Sequence, residues 1–120
     1  MTERFILMKE GNEVPQLKII SPVDNQTILG DKITISFIVS DFNVGQDGYI
    51  NLWLDNPIQE ASTAAKITSQ FDYTLSDLPS GSHKLTLEAI KSNHLSFKPK
   101  LNQTVSFTSI LPQVSTVTAI

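Results

Sequence analysis

The chain has 120 residues, 40% of them apolar and 18% charged, and nine basic against twelve acidic side chains leave a formal net charge of −3. At 13.3 kDa and a mean hydropathy of −0.03 it is one folding unit with a single core, outside the disordered, collagenous and membrane classes. An isoelectric point near 5.2 argues against nucleic acid and anionic membranes as partners, and the absence of cysteine removes disulfides, thiol nucleophiles and thiolate metal sites together.

Met1 to Gly11 offers only Phe5-Ile6-Leu7-Met8 as an apolar run, far short of the core of an export signal. The expected organisation is an extension or linker over 1–14, a folded domain over 15–111 and a β-prone tail over 112–120. From Gln16 onward apolar residues recur at period two, and β-branched and aromatic residues crowd the same segments, which predicts an all-β fold. Gln16 to Ile20 is the first candidate strand, followed by the turn Ser21-Pro22-Val23-Asp24-Asn25. Lys32 to Ser40 is the clearest strand, with Ile33, Ile35, Phe37 and Val39 on the core face and Thr34 and Ser36 on the other.

The next loop, Asp41 to Gly48, sets Asp41, Asn43 and Asp47 at alternate positions, as a tight calcium loop begins. It departs from that pattern, with Gln46 where glycine is required and no glutamate at the closing position. The alternative is an Asx-rich turn between two strands.

Tyr49 to Leu54 is the second clear strand. If Ile50, Leu52 and Leu54 face the core, Tyr49 and Trp53 fall on the outer face about 13 Å apart, with Asn51 between them. Flat rings beside amide and carboxylate groups are how β-sandwich modules hold sugars, so Tyr49, Asn51, Trp53 and Asp55 form a candidate carbohydrate platform. The competing expectation is a Trp53 turned inward or covered by a neighbouring strand or subunit.

Gln59 to Lys66 is rich in helix formers but too short for a helix, and reads as a crossing segment between sheets. Ala64 to Ser69, Phe71 to Leu75, Lys84 to Ile90 and Thr104 to Ile110 complete seven candidate strands. In Lys84 to Ile90, Leu85, Leu87 and Ala89 point in while Lys84, Thr86 and Glu88 point out. Asn25-Gln26-Thr27 and Asn102-Gln103-Thr104 are N-glycosylation sequons. The last stretch, Pro112 to Ile120, is uncharged, β-prone and too hydrophilic to span a bilayer, so it and Met1 to Lys9 are candidates for pairing with a neighbour's sheet edge. The alternative is linker tails flanking a module.

The order Ile20-Ser21-Pro22-x-Asp24-x-Gln26-x-Ile28-x-Gly30, the strand Ile33 to Val39, Gly48-x-Ile50-x-Leu52-x-Leu54-Asp55 and Leu78-x-x-Gly81-x-His83-x-Leu85-x-Leu87-x-Ala89 resembles bacterial and archaeal immunoglobulin-like modules of surface and secreted proteins. The likeness covers about Pro15 to Ile110. It implies an immunoglobulin-like antiparallel β-sandwich of about seven strands. Such modules serve as spacers, adhesins, carbohydrate-binding units and phage decorations, so the resemblance implies the fold more sharply than the function. Pro79 and Gly81 suit a tight corner, and His83 stands where such sandwiches usually carry a tyrosine bonded back to the backbone.

Nothing in the sequence supports an enzyme: the serines lack a nucleophile elbow, and the turn acids Asp41, Asp47, Asp55, Asp72 and Asp77 are what any acidic sandwich displays. The expectation is a non-catalytic structural, adhesion or interaction module of a cell-surface, secreted or virion assembly. Its partners would be neighbouring domains or identical subunits, with a polysaccharide as the alternative ligand, no nucleic acid, no membrane insertion and no cofactor beyond the calcium candidate.

Overall fold

Strict alternation over Ile33–Ser40 buries every second side chain and leaves Thr34, Ile38 and Ser40 exposed, so this strand commits one face to a core. It is the centre of a three-stranded sheet in the computed structural model, which describes residues 14–70 and 72–112. The strands are β1 (Gln16–Ser21), β2 (Gln26–Leu29), β3 (Ile33–Ser40), β4 (Gly48–Leu54), β5 (Ala65–Ile67), β6 (Tyr73–Leu75), β7 (Gly81–Lys91) and β8 (Asn102–Ile110). One sheet has the order β1-β3-β6 and the other β2-β8-β7-β4-β5.

The three strands with the clearest alternation, β3, β4 and β7, all take interior places in their sheets. Their inward side chains meet between the layers. Ile35, Ile50, Leu85, Leu87 and Ala89 are fully buried, joined by Leu17 and Ile19 from β1 and Val105 and Phe107 from β8. Each of the larger side chains contributes about 1.5–3 kcal/mol by leaving water. Phe42, Val44 and Leu78 plug the core from the connections. Gly48 starts β4 at φ 158°, and a Cβ there would overlap the Ile90 carbonyl oxygen, so only glycine lets the two strands approach.

Two expectations are corrected. An eighth strand, β2, joins the seven expected. It carries one inward residue, Ile28, and its alternation over four residues is half-exposed, so no apolar stripe announces it. It runs parallel to β8, with Gln26 opposite Phe107 and Leu29 opposite Ile110. Asn25 turns the chain at φ 66° between the sheets, and its amide donates to the Ser106 carbonyl at 2.6 Å. The second correction concerns Gln59 to Lys66, which does not cross between sheets. It folds back through a 3-10 turn at Ala61–Thr63 into β5, which pairs with β4 in the same sheet. The crossing to the other sheet comes after β5.

Candidate functional site

The β6–β7 connection and the residue after β4 meet at one end of the sandwich. Asp55 leaves β4 at φ 58°, and its amide donates to the Lys84 carbonyl at 2.8 Å. Its Oδ1 accepts the Lys84 amide at 2.7 Å. The register that puts Leu54 opposite Leu85 therefore brings the carboxylate beside His83. His83 Nδ1 lies 2.6 Å from Asp55 Oδ2, and Nε2 lies 2.7 Å from the Pro79 carbonyl oxygen, four residues back. The ring is 5% exposed and rests against Phe107, with centroids 5.2 Å apart.

This is the corner expected of His83, with a second fastening to Asp55 beside it. The imidazole does what a corner tyrosine does and also grips Asp55. A carbonyl oxygen and a carboxylate both accept, so the ring satisfies both only when each nitrogen carries a proton. Burial, the largest single influence, opposes that charge. The Asp55 hydrogen bond, the Pro79 carbonyl and the Asp55 charge together outweigh it and hold the imidazole above its ordinary 6.5.

An open cleft of about 330 Å³ adjoins the pair, lined also by Asn25, Ser82, Lys84, Ser106 and Thr108. A histidine–aspartate pair beside serines invites comparison with a hydrolytic triad. Such a triad needs Nε2 free to take a hydroxyl proton. Here Nε2 is bonded to a backbone carbonyl, so in this arrangement the pair fastens two corners.

The candidate sugar platform lies on the predicted face, but that face is covered. Trp53 is 3% and Asn51 2% exposed. The Trp53 indole N–H donates to the Glu60 carbonyl at 3.0 Å and the Thr63 hydroxyl at 3.2 Å. Of the two expectations for Trp53 the structure has the covered one, on the outer face: the connection before β5 closes over the ring. Tyr49 is half-buried, its hydroxyl 3.0 Å from His94 Nδ1, with Lys66 Nζ 4.6 Å from its ring centroid. Asp55 belongs to the corner and not to these aromatics.

In the calcium candidate the Asp47 carboxylate is occupied by the backbone. Asp47 Oδ2 accepts the Asn43 amide at 2.8 Å, and the Asp47 amide donates to the Asn43 carbonyl at 2.8 Å. Asp41 sits at φ 57°. This is the geometry of an Asx-rich turn. Among the described residues no group of three histidine, cysteine or acidic side chains is placed to hold a metal. Asn25 and Asn102, the sequon asparagines, are both exposed. The candidate pairing segments Met1 to Lys9 and Pro112 to Ile120 lie outside the described residues, apart from Pro112.

No protein-family model matches the sequence, and no curated protein is matched by it. Among solved structures it is similar to fibronectin(III)-like modules of Clostridium thermocellum CbhA, with a TM-score of 0.59 and 14% identity over 82% of this chain and 100% of that one. The chain folds as an immunoglobulin-like β-sandwich. An engineered protein is similar at a TM-score of 0.53 and 12% identity, and the match covers 82% of this chain but only 20% of that one. Identities this low speak for the sandwich alone. Among the described residues no helix is long and apolar enough to cross a membrane.

Proposed function

We propose that the chain is a non-catalytic structural or interaction module, built to be joined to other domains or to further copies of itself in a cell-surface, secreted or virion assembly. The observation that carries this reading is the corner at His83. The acid–base pair beside the cleft is consumed in holding β4 to the β6–β7 connection. The likeness to fibronectin(III)-like modules over the whole of that structure supports a unit of module size. Carbohydrate retention by Tyr49, Asn51, Trp53 and Asp55 is the lesser reading, because a sugar reaches Trp53 only if residues 56–63 lift away.

Solution mass tests the proposal. Size-exclusion chromatography with light scattering on the full chain, repeated after deleting 1–10 or 112–120, should show an oligomer that either deletion disperses if the ends are pairing strands. A strict monomer at all concentrations removes self-association and leaves a module that joins different partners. Retention on immobilised polysaccharide, lost in Trp53→Ala with an unchanged circular dichroism spectrum, would replace this reading with sugar binding.

A further inference from the structure

Between the two acceptors of His83 there is room for only one kind of ring, the doubly protonated one. A neutral imidazole has a single N–H and must turn a lone pair toward either Asp55 Oδ2 or the Pro79 carbonyl, each less than 3 Å away. The carboxylate is the stronger acceptor, so the remaining proton stays on Nδ1 and the carbonyl loses its donor. We propose that His83 is a pH-sensitive latch: protonated, it ties the β6–β7 connection to Asp55, and on losing one proton it lets that connection go.

The connection it releases is part of the core. Leu78, 3% exposed, packs among the buried residues, and its amide donates to the Asp31 carbonyl at 3.0 Å. Loosening Pro79 therefore pulls on a core plug and on the link to the β2–β3 turn. Among the described residues, the charged side chains on the segments around the ring come from four places: the residue after β4, β7, the β1–β2 turn and the β6–β7 connection. Asp55 bonds it directly, Lys84 of β7 lines the adjoining cleft, and Asp24 of the β1–β2 turn holds the Ser106 amide at 2.8 Å. Phe107 of β8 is neutral, and Asp77 stands at the start of the connection itself, at φ 59°.

The sign follows from the raised imidazole. Its folded value lies above the unfolded one, so the stabilisation is complete below 6.5 and is lost as pH rises through the folded value. The device therefore holds in mildly acidic surroundings and slackens as pH rises through the folded value.

A nitrogen-detected NMR titration of the His83 ring in the full chain decides it, read together with hydrogen exchange at the Leu78 amide. The ring should show two N–H groups below 6.5 and titrate above it, and the protection factor of Leu78 should fall roughly tenfold across that titration, the worth of one hydrogen bond. Asp55→Asn should lower the ring's midpoint. His83→Tyr, whose hydroxyl can still donate to Pro79, should leave Leu78 protection flat up to about pH 9. A wild-type midpoint at or below 6.5, or Leu78 protection indifferent to it, overturns the latch even if neither variant folds.

Discussion

The two sheets bury their inner faces alike and treat their outer faces in opposite ways. On the three-stranded sheet the outward residues stand in water, with Thr34 Oγ1 3.2 Å from Thr74 Oγ1 and the Ser36 hydroxyl donating to Asp72 at 3.1 Å. On the five-stranded sheet the outward Asn51, Trp53, Thr86, Glu88 and Ile90 are as buried as the core. Residues 56–63 supply one cover, through the two bonds to Trp53 and through Gln59 Nε2, 3.2 Å from the Thr86 hydroxyl. Residues 92–101 supply another, through Ser96 donating to Glu88 at 2.8 Å and Leu101 accepting from the Ala89 amide. Alternation along a strand thus tells which residues share a face, while connections folded back on the sheet decide whether that face meets solvent.

The sharpest way to break the comparison is Trp53→Ala. If the outer face of the five-stranded sheet is a second packed layer, removing the indole should destabilise the fold by about 3–5 kcal/mol, read as a lower urea midpoint. The near-ultraviolet circular dichroism of the single tryptophan should vanish with it. An unchanged midpoint would mean that residues 56–63 do not cover the ring in solution and that the two outer faces are equivalent.

The same asymmetry explains what was legible beforehand. Ile33, Ile35, Phe37 and Val39 declared their face because nothing else uses it, and the corner bond from His83 to the backbone followed from Pro79 and Gly81 shaping a tight turn. The second bond was hidden by distance along the chain. Only the β4–β7 register, Leu54 against Leu85, sets Asp55 next to His83, and that register comes from pairing Gly48 with Lys91 at the far end of the strands. Period two placed Trp53 on the outer face correctly and could not show its cover. That cover is made by backbone and small polar groups, Glu60 O and Thr63 Oγ1, which carry no hydrophobic signal. β2 escaped for the same reason, since hydrogen bonds to β8 hold it more than apolar side chains do.

A second packed layer should also resent polar atoms left without partners. Asn51 Oδ1 is buried with no hydrogen-bond partner, flanked by Tyr49 and Trp53 on its own strand and opposite Glu88 and Lys66 on the neighbours. An orphaned buried acceptor carries a desolvation cost of about 1–3 kcal/mol. Asn51→Leu, similar in shape and free of that acceptor, should raise the urea midpoint by an equivalent of about 1 kcal/mol. Asn51→Asp should lower it, because a charge cannot be accommodated there without a partner. A loss of stability in Asn51→Leu would mean that the amide meets a partner in solution and that this layer is hydrated.

The exposed sheet supplies the small end of the scale. Ser36 and Asp72 bond at the surface, where the donor and acceptor lose little when parted and side-chain ordering offsets most of the gain. Ser36→Ala should therefore shift stability by less than about 0.5 kcal/mol, and Ile38→Ser, which removes a side chain already 56% exposed, should do no more. These values belong beside that of Trp53, since all three residues point away from the core by alternation alone. A large loss in Ser36→Ala or Ile38→Ser would show that the outer face of the three-stranded sheet is also covered in the folded protein, by another part of the chain or by a second copy, and the contrast between the sheets would then disappear.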